Sequence, residues 1–228
     1  MTSTRRTALV AGILYLITFI SSIPAALLLD PVLSDPNYII GAGADGQIRF
    51  AAALDMVNAL ACIGTAVALF FVVSRQHEGF ALGFVTTRLF EAAIIVVGVV
   101  SVLGVVTLRQ DGATGTDAAS LVAVGRGLVA VRDWTFLLGP SLMPAFNAIL
   151  LGYLLYRSRL VPRLIPAMGL IGAPLLLSST IGTLLGFNEQ VSVWTGIATL
   201  PIFLWELAVG LWMIFKGFNP SAPILAVT

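Results

Sequence analysis

The fold of this chain is decided by residues 79–108, GFALGFVTTRLFEAAIIVVGVVSVLGVVTL. A helix of that length, at 1.5 Å per residue, is long enough to cross about 30 Å of hydrocarbon. The stretch also contains Arg88 and Glu91, which lie three residues apart and therefore on one helix face. A charge at mid-membrane costs about 2.5–3.5 kcal/mol. We therefore expect neighbouring helices to supply partners for both charges.

The composition of the whole chain indicates the same solvent. Of its 228 residues, 58% are hydrophobic and 10% are charged, whereas a soluble domain carries about 25% charged residues. In lipid, only helices and closed barrels satisfy every backbone hydrogen bond, and barrel strands are short and alternating. Long unbroken apolar segments therefore predict an all-α, polytopic integral membrane bundle. The net charge of +1 argues against a nucleic-acid partner.

Six segments are long enough to span, and together they predict a single domain over residues 1–228. The spans are 7–29, 48–74, 79–108, 133–156, 162–187 and 191–215. The first exceeds the 7–15 apolar residues of a secretory signal, so we expect it to be retained. Residues 118–131 are apolar but too short to span, which predicts a separate helix on the outer interface or capping the bundle.

The positive charges predict the orientation. If the N-terminus is inside, the outer side carries four Arg and the inner side seven Arg and Lys: Arg5, Arg6, Arg75, Arg157, Arg159, Arg163 and Lys216. Because cytoplasmic loops are enriched in Lys and Arg, both termini are predicted to be cytoplasmic. Trp134 and Trp194 are then expected at the outer interface as aromatic anchors.

Two further spans carry polar residues at the predicted depth of Arg88 and Glu91. These are Asn147 in the fourth span and Glu206 in the sixth. Polar groups at one depth are expected to face one another rather than lipid. One positive and two negative charges leave an excess of −1. We interpret the four residues as a ligand or proton-coupling site, with a buried ion pair that only fixes helix packing as the alternative.

A second polar pair, Asp55 and Asn58, shares one face in the outer half of the second span. With Arg132 and Asp133 at the outer rim, this pair could line a shallow vestibule. The alternative is hydrogen bonding that holds helices together. Cys62, the single cysteine, is expected to be a small buried residue.

Cofactor, metal and catalytic patterns point to no site. Residues 41–46 read G-x-G-x-x-G, but a dinucleotide site needs this pattern between a strand and a helix. We expect a turn and the start of a helix there. His77 has no partners at metal-ligand spacing, so neither a metal nor a cofactor is predicted. The chain contains no H-E-x-x-H, G-x-S-x-G or P-loop, which disfavours an enzyme and leaves no catalytic residue to assign.

Several stretches together resemble a family of bacterial multi-pass membrane proteins known only as a domain of unknown function, DUF4386. They are DPNYIIGAGAD (35–45), GTAVALF (64–70), RLFE (88–91), LGYLLYRSRLVPR (151–163) and WELAVGLW (205–212) with KGF (216–218). The resemblance implies a multi-pass protein of the bacterial cell (inner) membrane with about six helices. It implies no activity and no functional residue.

Three functions remain open from the sequence. The first is a binding or transport protein for a small or lipid-like ligand, surrounded by membrane lipid. The second is a structural or regulatory membrane subunit whose buried charges only fix helix packing. The third and weakest is a membrane-embedded enzyme acting on lipid or quinone, for which Asp55 would be the candidate nucleophile or member of an acid–base pair.

Overall fold

The computed structural model describes residues 3–112 and 117–226, and within these residues the protein is helical and has no strand. This confirms the predicted all-α class. The α-helices are α1 (Ser3–Leu28), α2 (Asp30–Ser34), α3 (Asp45–Val73), α4 (Glu78–Gln110), α5 (Ala118–Phe136), α6 (Met143–Ser158), α7 (Leu164–Leu184) and α8 (Val193–Phe215). A π-helical segment, Leu137–Ser141, joins α5 to α6. Residues 113–116 of the predicted outer loop lie outside the described residues.

Six helices are long and apolar enough to cross a membrane, as predicted: α1, α3, α4, α5 continued by α6, α7 and α8. Their outward faces carry large apolar side chains, including Ile20, Leu27, Phe71 and Ile171, each about two-thirds exposed or more. Exposed apolar surface of this extent requires an apolar surrounding. The bundle is that of a multi-pass membrane protein.

The fourth spanning helix corrects one sequence interpretation. Residues 118–131 are not a separate interfacial helix, because they form the first turns of a continuous helix of 41 residues that ends at Ser158. Such a helix is about 60 Å long, roughly twice the thickness of the hydrocarbon. The glycines at 125 and 127 do not end it, because a helical glycine costs only about 1 kcal/mol and α5 packs along α4. In that contact, the Ser101 hydroxyl donates a hydrogen bond to the Leu128 carbonyl.

The start of α1 and the segment after α8 lie at one end of the bundle, which we call the termini end. The Arg5 guanidinium donates to the Met213 carbonyl at 2.9 Å and also to the Ile214 carbonyl, joining the start of α1 to the end of α8. The backbone N–H of Asn219 donates to the Leu160 carbonyl at 2.8 Å, which holds the segment after α8 on the α6–α7 turn.

The opposite end is organised around Asp45, the first residue of α3. Its carboxylate accepts hydrogen bonds from Arg109 Nε at 2.7 Å, Gln110 Nε2 at 2.6 Å and the Tyr38 hydroxyl at 3.0 Å. Burial, together with the hydrogen bond to Asp45, raises the pKa of Tyr38 to about 12. The phenol therefore stays protonated at neutral pH and remains a donor. The G-x-G-x-x-G segment is a turn and a helix start, as expected.

Close backbone approach brings α1 against α8 beside the polar residues of the interior. A Cβ on Gly12 would lie 2.7 Å from the Gly210 carbonyl oxygen, and a Cβ on Gly210 would lie 3.0 Å from Tyr15 Cβ. Only glycine permits such a distance between two helices. This contact places the Tyr15 side chain in the centre of the bundle.

Candidate functional site

Arg88 lies at the centre of a buried ion cluster. Its Nη1 is 3.2 Å from Glu91 Oε2 on the same helix, and its Nη2 is 2.9 Å from Glu206 Oε1 on α8. The residue is only 2% exposed. Its guanidinium carbon lies 5.2 Å from the ring centroid of Tyr15 and 5.9 Å from that of Phe84, within reach of a cation–π interaction. The guanidinium therefore faces the interior of the bundle rather than lipid.

Asn147 extends the cluster to a third helix. Its Nδ2 donates to Glu91 Oε2 at 2.8 Å, and its Oδ1 accepts from the Thr87 hydroxyl at 2.6 Å. These contacts join α4 to α6, as the Arg88–Glu206 pair joins α4 to α8. The structure thus brings together the four residues selected from sequence depth, which we call the central cluster: Arg88, Glu91, Asn147 and Glu206.

Three contacting residues were not recognised from the sequence. Cys62 is buried, as expected, but its Sγ also lies 3.6 Å from Arg88 Nη1. Tyr15 and Thr87 also border the central cluster. The one available signal was spacing, because Cys62 follows Asn58 by four residues and shares its helix face. Tyr15 carried no comparable signal, since its place depends on the contact between α1 and α8.

The charges of the central cluster do not balance. One guanidinium faces two carboxylates, so the fully ionised cluster carries −1. Arg88 Nε is buried and has no hydrogen-bond partner among the described residues. The Glu206 side chain is 13% exposed, against 6% for that of Glu91. The arrangement can accept one proton or a cationic group, and Glu206 is its more accessible acid.

A second ion pair joins α3 to α5. Arg132 Nη2 lies 3.1 Å from Asp55 Oδ2, and both residues are 6% exposed. The Arg132 guanidinium carbon lies 5.4 Å from the Phe136 ring centroid. Asn58, one turn along α3 from Asp55, accepts a long hydrogen bond of 3.8 Å from Cys62. One face of α3 thus carries polar residues from this ion pair to the central cluster.

Two of the four residues that were predicted to line a vestibule, Arg132 and Asp133, border a cavity. Arg132 and Asp133 line a space of about 310 Å³ together with apolar side chains, among them Leu29 and Phe136. Asp55 is not among the lining residues, because its carboxylate is turned to Arg132. Across residues 3–112 and 117–226, no three His, Cys, Asp or Glu side chains are grouped as a metal site would require.

Six apolar spans around a buried arginine with two glutamates define a multi-pass helical membrane protein with a charged interior. The family model for "Domain of unknown function (DUF4386)" matches residues 10–217, so the chain belongs to this family, as its resemblance indicated. The matched range contains every residue of the central cluster and both members of the Asp55–Arg132 pair. No curated protein and no solved structure matches this chain.

Proposed function

We propose that this protein is a binding or transport-type membrane protein that takes a small or lipid-like ligand at the central cluster and couples it to one proton. The observation that carries this proposal is that the one guanidinium of Arg88 faces two carboxyl groups, which leaves a charge of −1 when both are ionised. An uncompensated charge in a low-dielectric interior is costly. A bound proton, or a cationic group on a ligand, would remove that cost. Ionisable residues inside membranes commonly mark ion and substrate pathways.

The bond between Arg88 and Glu206 is the step that such coupling would use. Protonation of Glu206 would remove the charge that holds Arg88 Nη2, while Glu91 would keep Nη1. The tie between α4 and α8 would weaken and the guanidinium would be free to donate to a ligand. Arg88 Nε, which already lacks a partner among the described residues, offers one further donor.

A structural role is the second candidate, and burial favours it. Arg88, Glu91 and Asn147 are each no more than 5% exposed and connect α4 to its neighbours. In that function the protein is a structural or regulatory subunit, and the charges fix which helices meet. The two candidates differ in whether water and ligands ever reach the central cluster.

We further infer that the protein lies in a bacterial inner membrane with the termini end in the cytoplasm. The support is the excess of Lys and Arg assigned to that side in sequence, seven against four.

Cys62 provides the test, because it is the only cysteine of the chain and lies 3.6 Å from Arg88. The membrane-embedded protein is treated with a small water-soluble methanethiosulfonate reagent at several pH values. Labelling rates are divided by those of a reference, Cys62→Ala with Ser221→Cys, whose thiol is exposed in the C-terminal segment. We expect Cys62 to label slowly and its rate, relative to that of the reference thiol, to rise as the pH falls, because protonation of Glu206 loosens the cluster.

Two glutamate variants complete this experiment. Glu206→Gln should label at a rate that no longer depends on pH after normalisation, whereas Glu189→Gln in the exposed α7–α8 loop should behave like the native protein. If Cys62 reacts only after denaturation, in the native protein and in Glu206→Gln alike, the structural role is the correct one.

A further inference from the structure

A groove of about 610 Å³ lies at the termini end, where the α6–α7 turn meets the segment that follows α8. Three cationic residues line it, Arg159, Arg163 and Lys216, and we call it the basic groove. No acidic residue is among its lining residues. None of the four ion pairs formed by the described residues involves these three cations. Arg163 lies 5.0 Å from the Tyr156 ring centroid, which supports its guanidinium from one side.

The backbone at Arg159 is the second observation. Arg159 has a φ of 56°, and among the described residues it is the only one besides glycine with a positive φ. It caps the C-terminus of α6, where glycine or asparagine takes this conformation at lower cost. The capping itself uses the backbone, whose N–H donates to the Leu155 carbonyl at 3.1 Å. The fold therefore does not need the arginine side chain, which is exposed.

The ends of α6 and α8 and the start of α7 meet at the basic groove, and several of the backbone carbonyls at the two helix ends already accept hydrogen bonds. Asn219 donates a hydrogen bond from Nδ2 to the Arg159 carbonyl at 3.3 Å and from its backbone N–H to the Leu160 carbonyl at 2.8 Å. The Arg5 guanidinium occupies two carbonyls at the end of α8. The helix α7 begins at Leu164, immediately after Arg163, and a helix N-terminus favours an anion. This place suits a phosphate group for three reasons: three cations line it, a helix begins there, and the nearby carbonyls already accept hydrogen bonds.

The surroundings of the basic groove distinguish a lipid from a free anion. Leu164 and Phe215, next in sequence to Arg163 and Lys216, are 75% and 73% exposed. Trp212 lines the groove on its α8 side. A ligand that suits this place carries phosphate beside acyl chains. We propose that the basic groove binds the headgroup of an anionic phospholipid, a site separate from the central cluster and independent of the function proposed for it.

Trp212 makes the proposal measurable. The purified full chain is reconstituted with phosphatidylglycerol or phosphatidylcholine brominated on the acyl chains, and tryptophan quenching is recorded. Subtraction of the Trp212→Phe variant isolates the signal of the groove from that of the other tryptophans. We expect stronger quenching of Trp212 by phosphatidylglycerol. The preference should fall roughly fivefold for each cation removed, since a Lys or Arg near an anionic surface contributes about 1 kcal/mol.

Arg159→Gly is the most informative variant, because it removes the cation and places at the positive φ of this position a residue that adopts it at lower cost. Its melting temperature should stay unchanged or rise while its preference for phosphatidylglycerol falls. The preference should also fall in Arg163→Gln and in Lys216→Gln. Arg126→Gln, an exposed arginine in α5, is the matched control and should retain the preference. Equal quenching by the two lipids, or a preference unchanged in the triple variant, would overturn the proposal. If inorganic phosphate abolishes the preference, the groove is a site for a free anion and the lipid assignment is wrong.

Discussion

At the scale of single residues, the molecule depends on how Arg88 distributes its hydrogen bonds. Nη1 is bonded to Glu91 and Nη2 to Glu206, and Asn147 provides a second contact for the Glu91 carboxylate. The guanidinium is the only positive group in this contact, so both carboxylates depend on it for charge compensation. Removing Arg88 leaves two buried acids with no cation, whereas removing one acid leaves a balanced pair.

This imbalance predicts different costs for two charge-removing variants. Arg88→Gln should lower the free energy of unfolding by about 3–5 kcal/mol, because it breaks a buried pair and leaves charge uncompensated. Glu206→Gln should change it by no more than about 1 kcal/mol, because one hydrogen bond between membrane helices contributes about 0.6 kcal/mol on average and the net charge becomes zero. Reversible unfolding in mixed detergent and SDS micelles measures both. Equal costs would show that charge balance does not control this site.

At the scale of helices, glycines decide which elements meet. α1 and α8 are far apart in the sequence and touch through Gly12 and Gly210. On the other side of the site, a Cβ on Gly139, in the π-helical segment, would lie 2.8 Å from the Ile94 side chain. α6 therefore approaches α4 closely, which allows Asn147 to reach Glu91. π-Helical turns of this kind often accompany functional sites.

Replacing glycine by alanine should have opposite effects inside and outside the contact between α1 and α8. Gly12→Ala should destabilise the protein by about 1–3 kcal/mol, because the new Cβ overpacks the contact. Gly127→Ala, in α5 where nothing lies within 4 Å of a Cβ, should stabilise by up to about 1 kcal/mol through helix propensity. The same unfolding assay compares them. A harmless Gly12→Ala would mean that α1 and α8 are not held at this distance in the membrane.

At the scale of the whole molecule, charge is divided between the two ends of the bundle. The termini end carries three cations in the basic groove that form no ion pair with any described residue, whereas at the opposite end Asp45 is bonded to Arg109 and Gln110. The central cluster lies between these ends and is enclosed by α4, α6, α8 and α1. An anionic lipid in the basic groove would contact α6, α7 and α8, and so would act on two helices of the central cluster.

This division of charge predicts the orientation in a bacterial membrane. Alkaline phosphatase fused at either terminus should be inactive, because it folds only outside the cytoplasm, and green fluorescent protein fused at the C-terminus should fluoresce. Phosphatase inserted into the loop between α7 and α8, beside Gly186, is the control and should be active. Active phosphatase at the termini would reverse the proposed orientation.

The residues of the polar site could be predicted from the sequence, whereas most of their neighbours could not. Depth within each span was enough to group Arg88, Glu91, Asn147 and Glu206, because a charge in hydrocarbon must find a partner. The sequence placed Asp55 and Arg132 together as the lining of a shallow vestibule, but it predicted neither their ion pair nor the approach of Tyr15, because both depend on which helices are adjacent. It also ended the outer helix too early, since the glycines at 125 and 127 weaken a helix that packing on α4 restores.

The sequence by itself determined the solvent, the number of spans and the four residues of the central cluster. It could do so because transfer of a segment into lipid depends on composition and length, which are properties of the chain alone. Only the tertiary structure decided that Arg88 bridges α4 to α8, that α1 brings Tyr15 to it, and that Arg159, Arg163 and Lys216 share one groove. Those contacts depend on the close packing of distant segments, where a single Cβ determines which surfaces can meet.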